Sequence, residues 1–229
     1  MGMPTTKATS QPGDEAAVKA ALKKYNDAVN AGDVAVLKDF IAATSEGQKK
    51  ALELMARLTG SGRAVYNATL EKFGEKALTE ANVERRSFPG GFPPMPVEQM
   101  TIKPEGDTAS LVIGGPEGPS GPPLTMRRTA GTWKIDGDAL LPPLTDKQIK
   151  DQTSILEAAM KAIDDTGADV KAGHIKAADE VVVLMNHRVQ KAVQAAQMKL
   201  APMEDPAMMP PAGPPSSMPA TGPSTMPMQ

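Results

Sequence analysis

At 229 residues, with 25 basic against 27 acidic side chains, the chain has a formal net charge of −2 and no concentrated basic face with which to hold a nucleic acid. Cysteine is absent, which removes disulfides, thiolate metal sites and a cysteine nucleophile; aromatic residues are only 3%, so a core must be built from Ala, Val, Leu, Ile and Met. No apolar run approaches the ~20 residues of a bilayer-crossing helix, so no transmembrane segment is expected.

Residues 1–13 lack the apolar stretch of a signal peptide, and positions 4–13, rich in Thr, Ser, Pro and Gln, read as a flexible spacer of the kind that follows a removed export signal. The expected location is secreted or periplasmic, with the cytoplasm as the alternative. From Asp14 the pattern turns helical: Val18, Leu22, Tyr25 and Val29 recur at spacings of four, three and four, and the helix stops at Gly32. Asp33 can cap a second, shorter helix with Val34, Leu37, Phe40 and Ile41 facing inward. Two further helices are expected over about 46–59 and 62–79, separated by Gly60 and Gly62.

Residues 84–96, ERRSFPGGFPPMP, cannot continue a helix because proline lacks the amide donor and restricts the residue before it. The period then changes to two over 97–103, 108–113, 124–129 and 132–136, which predicts an antiparallel meander with tight turns at PEGD and TAG and a longer exposed loop at GGPEGPSGPP. In the last strand Trp133 and Ile135 share the core face, while Lys134 and Asp136 are expected to face water.

From Thr145 the chain is helical again. Ile149, Thr153, Leu156, Met160, Ile163, Gly167 and Val170 form a seam, but beyond Gly173 the apolar positions resume out of step at Ala178, Val182, Met185 and Val189. That change of phase predicts two helices, about 146–171 and 176–199, folded as a hairpin over residues 145–200. The Pro- and Met-rich segment 201–229 has no period and is expected to be disordered.

Two phrases, DEAAVKAALKKYNDAVNAGDVAVLKDFI and TMRRTAGTWKIDGDAL, resemble the ends of a domain of the nuclear transport factor two-like superfamily, which includes the SnoaL-type cyclases. The resemblance covers about residues 14–141. It implies an α+β fold in which N-terminal helices pack on a curved antiparallel sheet to form a cone, here followed by the C-terminal helical hairpin and the tail. In such a cone an Asp, His or Tyr can serve as acid or base.

Little in the chain matches that chemistry. His174 and His187 lie in the C-terminal helices, 13 residues apart and on different faces, so no metal-ligand pair forms and no metal or other cofactor is expected. Asp164, Asp165 and Asp169 read as a solvated face. The sequence has no phosphate-binding glycine loop, Gly-x-Ser-x-Gly or His-Glu-x-x-His, and no catalytic residue is assigned. Candidate ligand-binding residues are Tyr25 and Tyr66, on the apolar stripes of their helices; Arg128, beside Leu124 and Met126 where it can meet an anion; and Trp133, as a pocket wall. The leading expectation is a non-enzymatic binding or assembly module of an exported or envelope-associated bacterial protein, with a small apolar ligand or a protein as partner. The alternatives are a cone-pocket enzyme, isomerase-like or hydrolase-like, using a tyrosine, and a self-associating structural protein that forms a homodimer through its C-terminal helices.

Overall fold

The computed structural model describes residues 12–115, 118–119, 123–140 and 145–200. The expected spacer, apart from its last two residues, and the expected tail over 201–229 lie outside the described residues. Helix α1 (Pro12–Ala31) carries Asp14 and Glu15 in its first turn, where their charge complements the helix dipole, and it buries Val18, Leu22, Tyr25 and Val29. After the corner at Gly32 (φ 71), the Asp33 side chain accepts from the Val36 amide at 3.1 Å and starts α2 (Val34–Phe40). A two-residue strand, β1 (Ile41–Ala42), leads to Ser45, which caps α3 (Glu46–Glu80).

Helix α3 corrects the expectation of two helices. It runs through Gly60 and Gly62 and leaves helical geometry only at Gly74 (φ 80, ψ 161). Glycine inside a helix costs about 1 kcal/mol relative to alanine, and here close packing explains its presence. A β-carbon at position 62 would stand 1.8 Å from the Pro89 carbonyl oxygen, and one at Gly91 would stand 2.3 Å from the Met55 carbonyl oxygen. The 88–92 loop therefore lies directly on the helix backbone. Thr59 fixes it there: its hydroxyl donates to the Met55 carbonyl and accepts from the amides of Gly91 and Phe92 at 2.9 and 3.1 Å.

Strands β2 (Met100–Glu105), β3 (Thr108–Gly115), β4 (Gly118–Pro119), β5 (Leu124–Thr129) and β6 (Thr132–Asp136) follow, the first of them after a short 3-10 turn at Val97–Gln99 where strand was expected. The β5–β6 hairpin turns on Ala130 (φ 50) and Gly131 (φ 79), both left-handed as a two-residue turn of this twist requires. The sheet order is β1-β6-β5-β3-β2, with β4 pairing the end of β3.

The fold class is therefore not the antiparallel cone implied by the resemblance. Strand β1 runs parallel to β6, pairing Ile41 with Ile135 and Ala42 with Asp136, so the sheet is mixed. The three helices α1 to α3 come first in the chain, and the longer strands follow them as one block. The physical reason lies in residues 46–80: they form one long helix, which leaves no chain there for the extra strands that would wrap a cone.

A short helix, α4 (Gly137–Leu140), closes the sheet. Helix α5 (Asp146–Ala172) begins with a capping box between Thr145 and Gln148 and ends at Gly173 (φ 80); α6 (Ala178–Leu200) returns along it. Lys72 of α3 donates to the carbonyls of Val170 and Ile175 at 2.9 and 3.0 Å, and Gly167 lies against Val65, so α3 and α5 run side by side in the same direction.

Two apolar cores result. The sheet core gathers Val18, Leu22, Tyr25, Phe40, Leu52, Ala56, Phe92, Met126, Trp133 and Ile135. The helical core gathers Val65, Ala68, Phe88, Ile163, Val170, Val181 and Met185. Helix α3 contributes to both.

Candidate functional site

Trp133 is the second residue of β6 and is 3% exposed. Opposite it in the β5–β6 register is Arg128, whose guanidinium carbon stands 4.7 Å from the centre of the indole, within cation–π range. The same guanidinium pairs with Asp14 in the first turn of α1 and approaches Asp107 at 3.9 Å. Arg128 thus fastens α1 to the sheet over the tryptophan.

Trp133 also forms part of the wall of a cleft of about 250 Å³ where α1, α2 and β6 meet. Its apolar lining comes from Ala20, Ala21, Val36, Phe40 and Trp133. The polar residues around it are Lys24, Asp39, Thr132 and Lys134, of which Lys134 and Asp39 form an ion pair at 2.6 Å. The cleft follows from residue size: α1 presents alanines opposite two large flat rings, and a methyl group cannot fill the space a ring leaves. The indole Nε1 is buried and has no hydrogen-bond partner among the described residues. Four larger depressions, of about 620, 670, 570 and 420 Å³, are more open and carry charged surface side chains, among them Lys19, Lys23 and Glu98 in the first and Lys161, Asp165 and Arg188 in the second.

The other candidates lie elsewhere. Tyr25 is buried beside Phe40 (ring centres 5.0 Å apart), its hydroxyl donates to the Pro93 carbonyl at 3.0 Å, and burial pushes its phenol well above the ordinary value. It shares the sheet core with Trp133 but does not line the cleft. Tyr66 packs against the helical core, edge-on to Phe88, with the Arg85 guanidinium over its ring. Of the four sequence candidates, the structure joins Arg128 to Trp133 and separates Tyr66 from both.

Asp136, expected to face water, is instead buried and paired with Arg127 at 2.7 Å. The parallel strand β1 covers that end of β6, so the last residue of the strand lies between neighbours. Next to it, Asp138 accepts from Gln48 and Thr44 at 2.7 and 2.8 Å, and these bonds hold its carboxyl below the ordinary value. This group ties α4 to the start of α3.

Sequence reasoning missed Phe40, Lys24 and Thr132 as cleft residues. The available signal was Ala21, a small residue between Val18 and Tyr25 on the inward side of α1. No set of three or more Asp, Glu or His side chains suited to a metal ion occurs among the described residues. No described helix is long and apolar enough to cross a membrane. Comparison with protein-family models, curated proteins and solved structures finds no match to this chain.

Proposed function

We propose that the protein is a non-enzymatic binding module of an exported or envelope-associated assembly, which receives a small apolar group in the cleft between α1, α2 and β6. The observation that carries this reading is the cleft itself: an apolar slot floored by Phe40 and Trp133 with charged and polar groups only around it. At about 250 Å³ it suits a single ring or branched side chain. The rival enzymatic reading rests on Tyr25 or Tyr66, and the Tyr25 hydroxyl is engaged by the Pro93 carbonyl while Tyr66 packs against the helical core, away from the cleft. Kinship with the nuclear transport factor two-like superfamily is likewise proposed, on α1, its corner into α2 and the Gly131–Ile135 stretch, without the cone.

The test uses the single tryptophan of the chain as its own reporter. Titration with a neutral ring compound, benzyl alcohol, is expected to shift the emission of Trp133 saturably in the wild type and to have no such effect in Ala20→Leu, which fills the cleft from an exposed position. Absence of any saturable shift in the wild type sinks the reading.

A second reading, self-association through the C-terminal helices, is favoured by Val183 and Met198 on α6, which are 69% and 76% exposed. A Val183→Asp, Met198→Asp double variant that left the mass in solution unchanged would remove it.

A further inference from the structure

We propose that the occupant of the cleft is a small amphipathic carboxylate, with its apolar body on Phe40, Val36 and Trp133 and its carboxylate at the mouth, held by Lys24. This inference rests on the binding reading above and adds the chemistry of the ligand.

Two donors around the slot are uncommitted. Lys24, exposed on α1, has no ion-pair or hydrogen-bond partner among the described residues, and neither does the Thr132 hydroxyl. The other charges at the cleft do not oppose an anion. Asp39 is the one carboxylate in the lining, and Lys134 neutralises it at 2.6 Å. Two cations against one carboxylate leave the rim with a net positive charge, and that charge resides on Lys24. A purely apolar occupant would make no use of the charge on Lys24. A cationic one would meet Lys24 directly.

The same chemistry has two sources: a free hydrophobic acid, or the terminal carboxylate of a peptide whose last residue is apolar. Titration of the full chain by Trp133 emission separates them. The probes are 3-phenylpropionate, its neutral amide, and N-acetyl-glycyl-phenylalanine with its terminus free or amidated. Each free acid is expected to bind about tenfold more tightly than its amide, as a charge-assisted hydrogen bond allows. Lys24→Met is expected to abolish the preference for each acid over its amide, and Lys24→Arg to retain most of it. Tighter binding of the free peptide than of 3-phenylpropionate supports a chain terminus as the source, and the reverse order supports a free acid. Equal affinity for acid and amide would overturn the carboxylate assignment while the binding reading stood. Loss of every emission change, for benzyl alcohol as well as for these probes, would overturn both.

Discussion

The sheet core and the helical core are held by different means, and the difference explains why the cleft lies where it does. The sheet core is organised by flat rings and by long-range hydrogen bonds from single side chains: Tyr25 to Pro93, Asn26 to both backbone groups of Met95, and Thr59 to the amides of Gly91 and Phe92. The helical core closes through small and branched residues, such as Gly167 against Val65, and its end is tied by Lys72. Rings are stiff and leave slots where small residues oppose them; alanine, valine and glycine let helices approach closely, and the depression between α5 and α6 is open and rimmed by charged side chains. The half with the poorer fit between neighbours is the half that holds the apolar cleft beside Trp133.

The heaviest blow to either half is a buried truncation. Leu22→Ala in the sheet core and Ile163→Ala in the helical core should each cost about 3 kcal/mol, read by urea unfolding. Because α3 serves both cores, Trp133 emission and far-UV ellipticity should fall in one coincident transition in both variants. Two separate transitions would show the halves to be independent.

Next comes the loop laid on α3, with Phe88 in one core and Phe92 in the other. Thr59→Val keeps the shape but leaves the Gly91 and Phe92 amides without their acceptor, and Gly62→Ala pushes a methyl group into the Pro89 carbonyl. Each should cost about 2 kcal/mol by calorimetry, and a neutral result for Gly62→Ala would refute the close approach. Lys72→Met removes a cap from the helical half alone and should cost about 1 kcal/mol, with faster amide exchange confined to the α5–α6 turn.

Acid should touch both halves. Asp138, through bonds from Gln48 and then Thr44, and Asp169, through His174 and then Arg188, have carboxyls held below the ordinary 3.8. A depressed carboxyl stabilises the fold above its unfolded value, and that stability is lost as the pH falls through the lower, folded value. The thermal midpoint should therefore be flat above about pH 5 and drop below about pH 4, and Asp138→Asn and Asp169→Asn should each flatten that drop. The smallest effect has the opposite sign. Ala130 sits at φ 50, where a β-carbon is strained and asparagine is better tolerated, so Ala130→Asn should raise stability by about 0.5 kcal/mol.

The features legible in the sequence were those set by spacing. Trp133 and Ile135, two apart, mark the buried face of β6, and the slip in apolar positions beyond Gly173 marks the turn between α5 and α6. What escaped was set by contact between distant segments. Gly60 and Gly62 read as breaks because the backbone of Pro89, 27 residues further on from Gly62, cannot be seen from position 62. The burial of Asp136 and the mixed sheet both depend on β1, a strand of two residues too short to show a period. Trp133 was legible as a wall, but Lys24 and Phe40 join it only once α1 and α2 have docked on the sheet.

Helix α3 carries one more consequence. Leu52 and Ala56 seat it in the sheet core, Val65 and Ala68 in the helical core, with no loop between them to absorb a change in length. One residue inserted or deleted within that span would swing everything downstream by about 100°, so that one set of side chains could stay docked only if the other turned away. Among descendants of this chain, the stretch from Ala56 to Val65 should admit no indels, and replacements only away from Thr59 and Gly62.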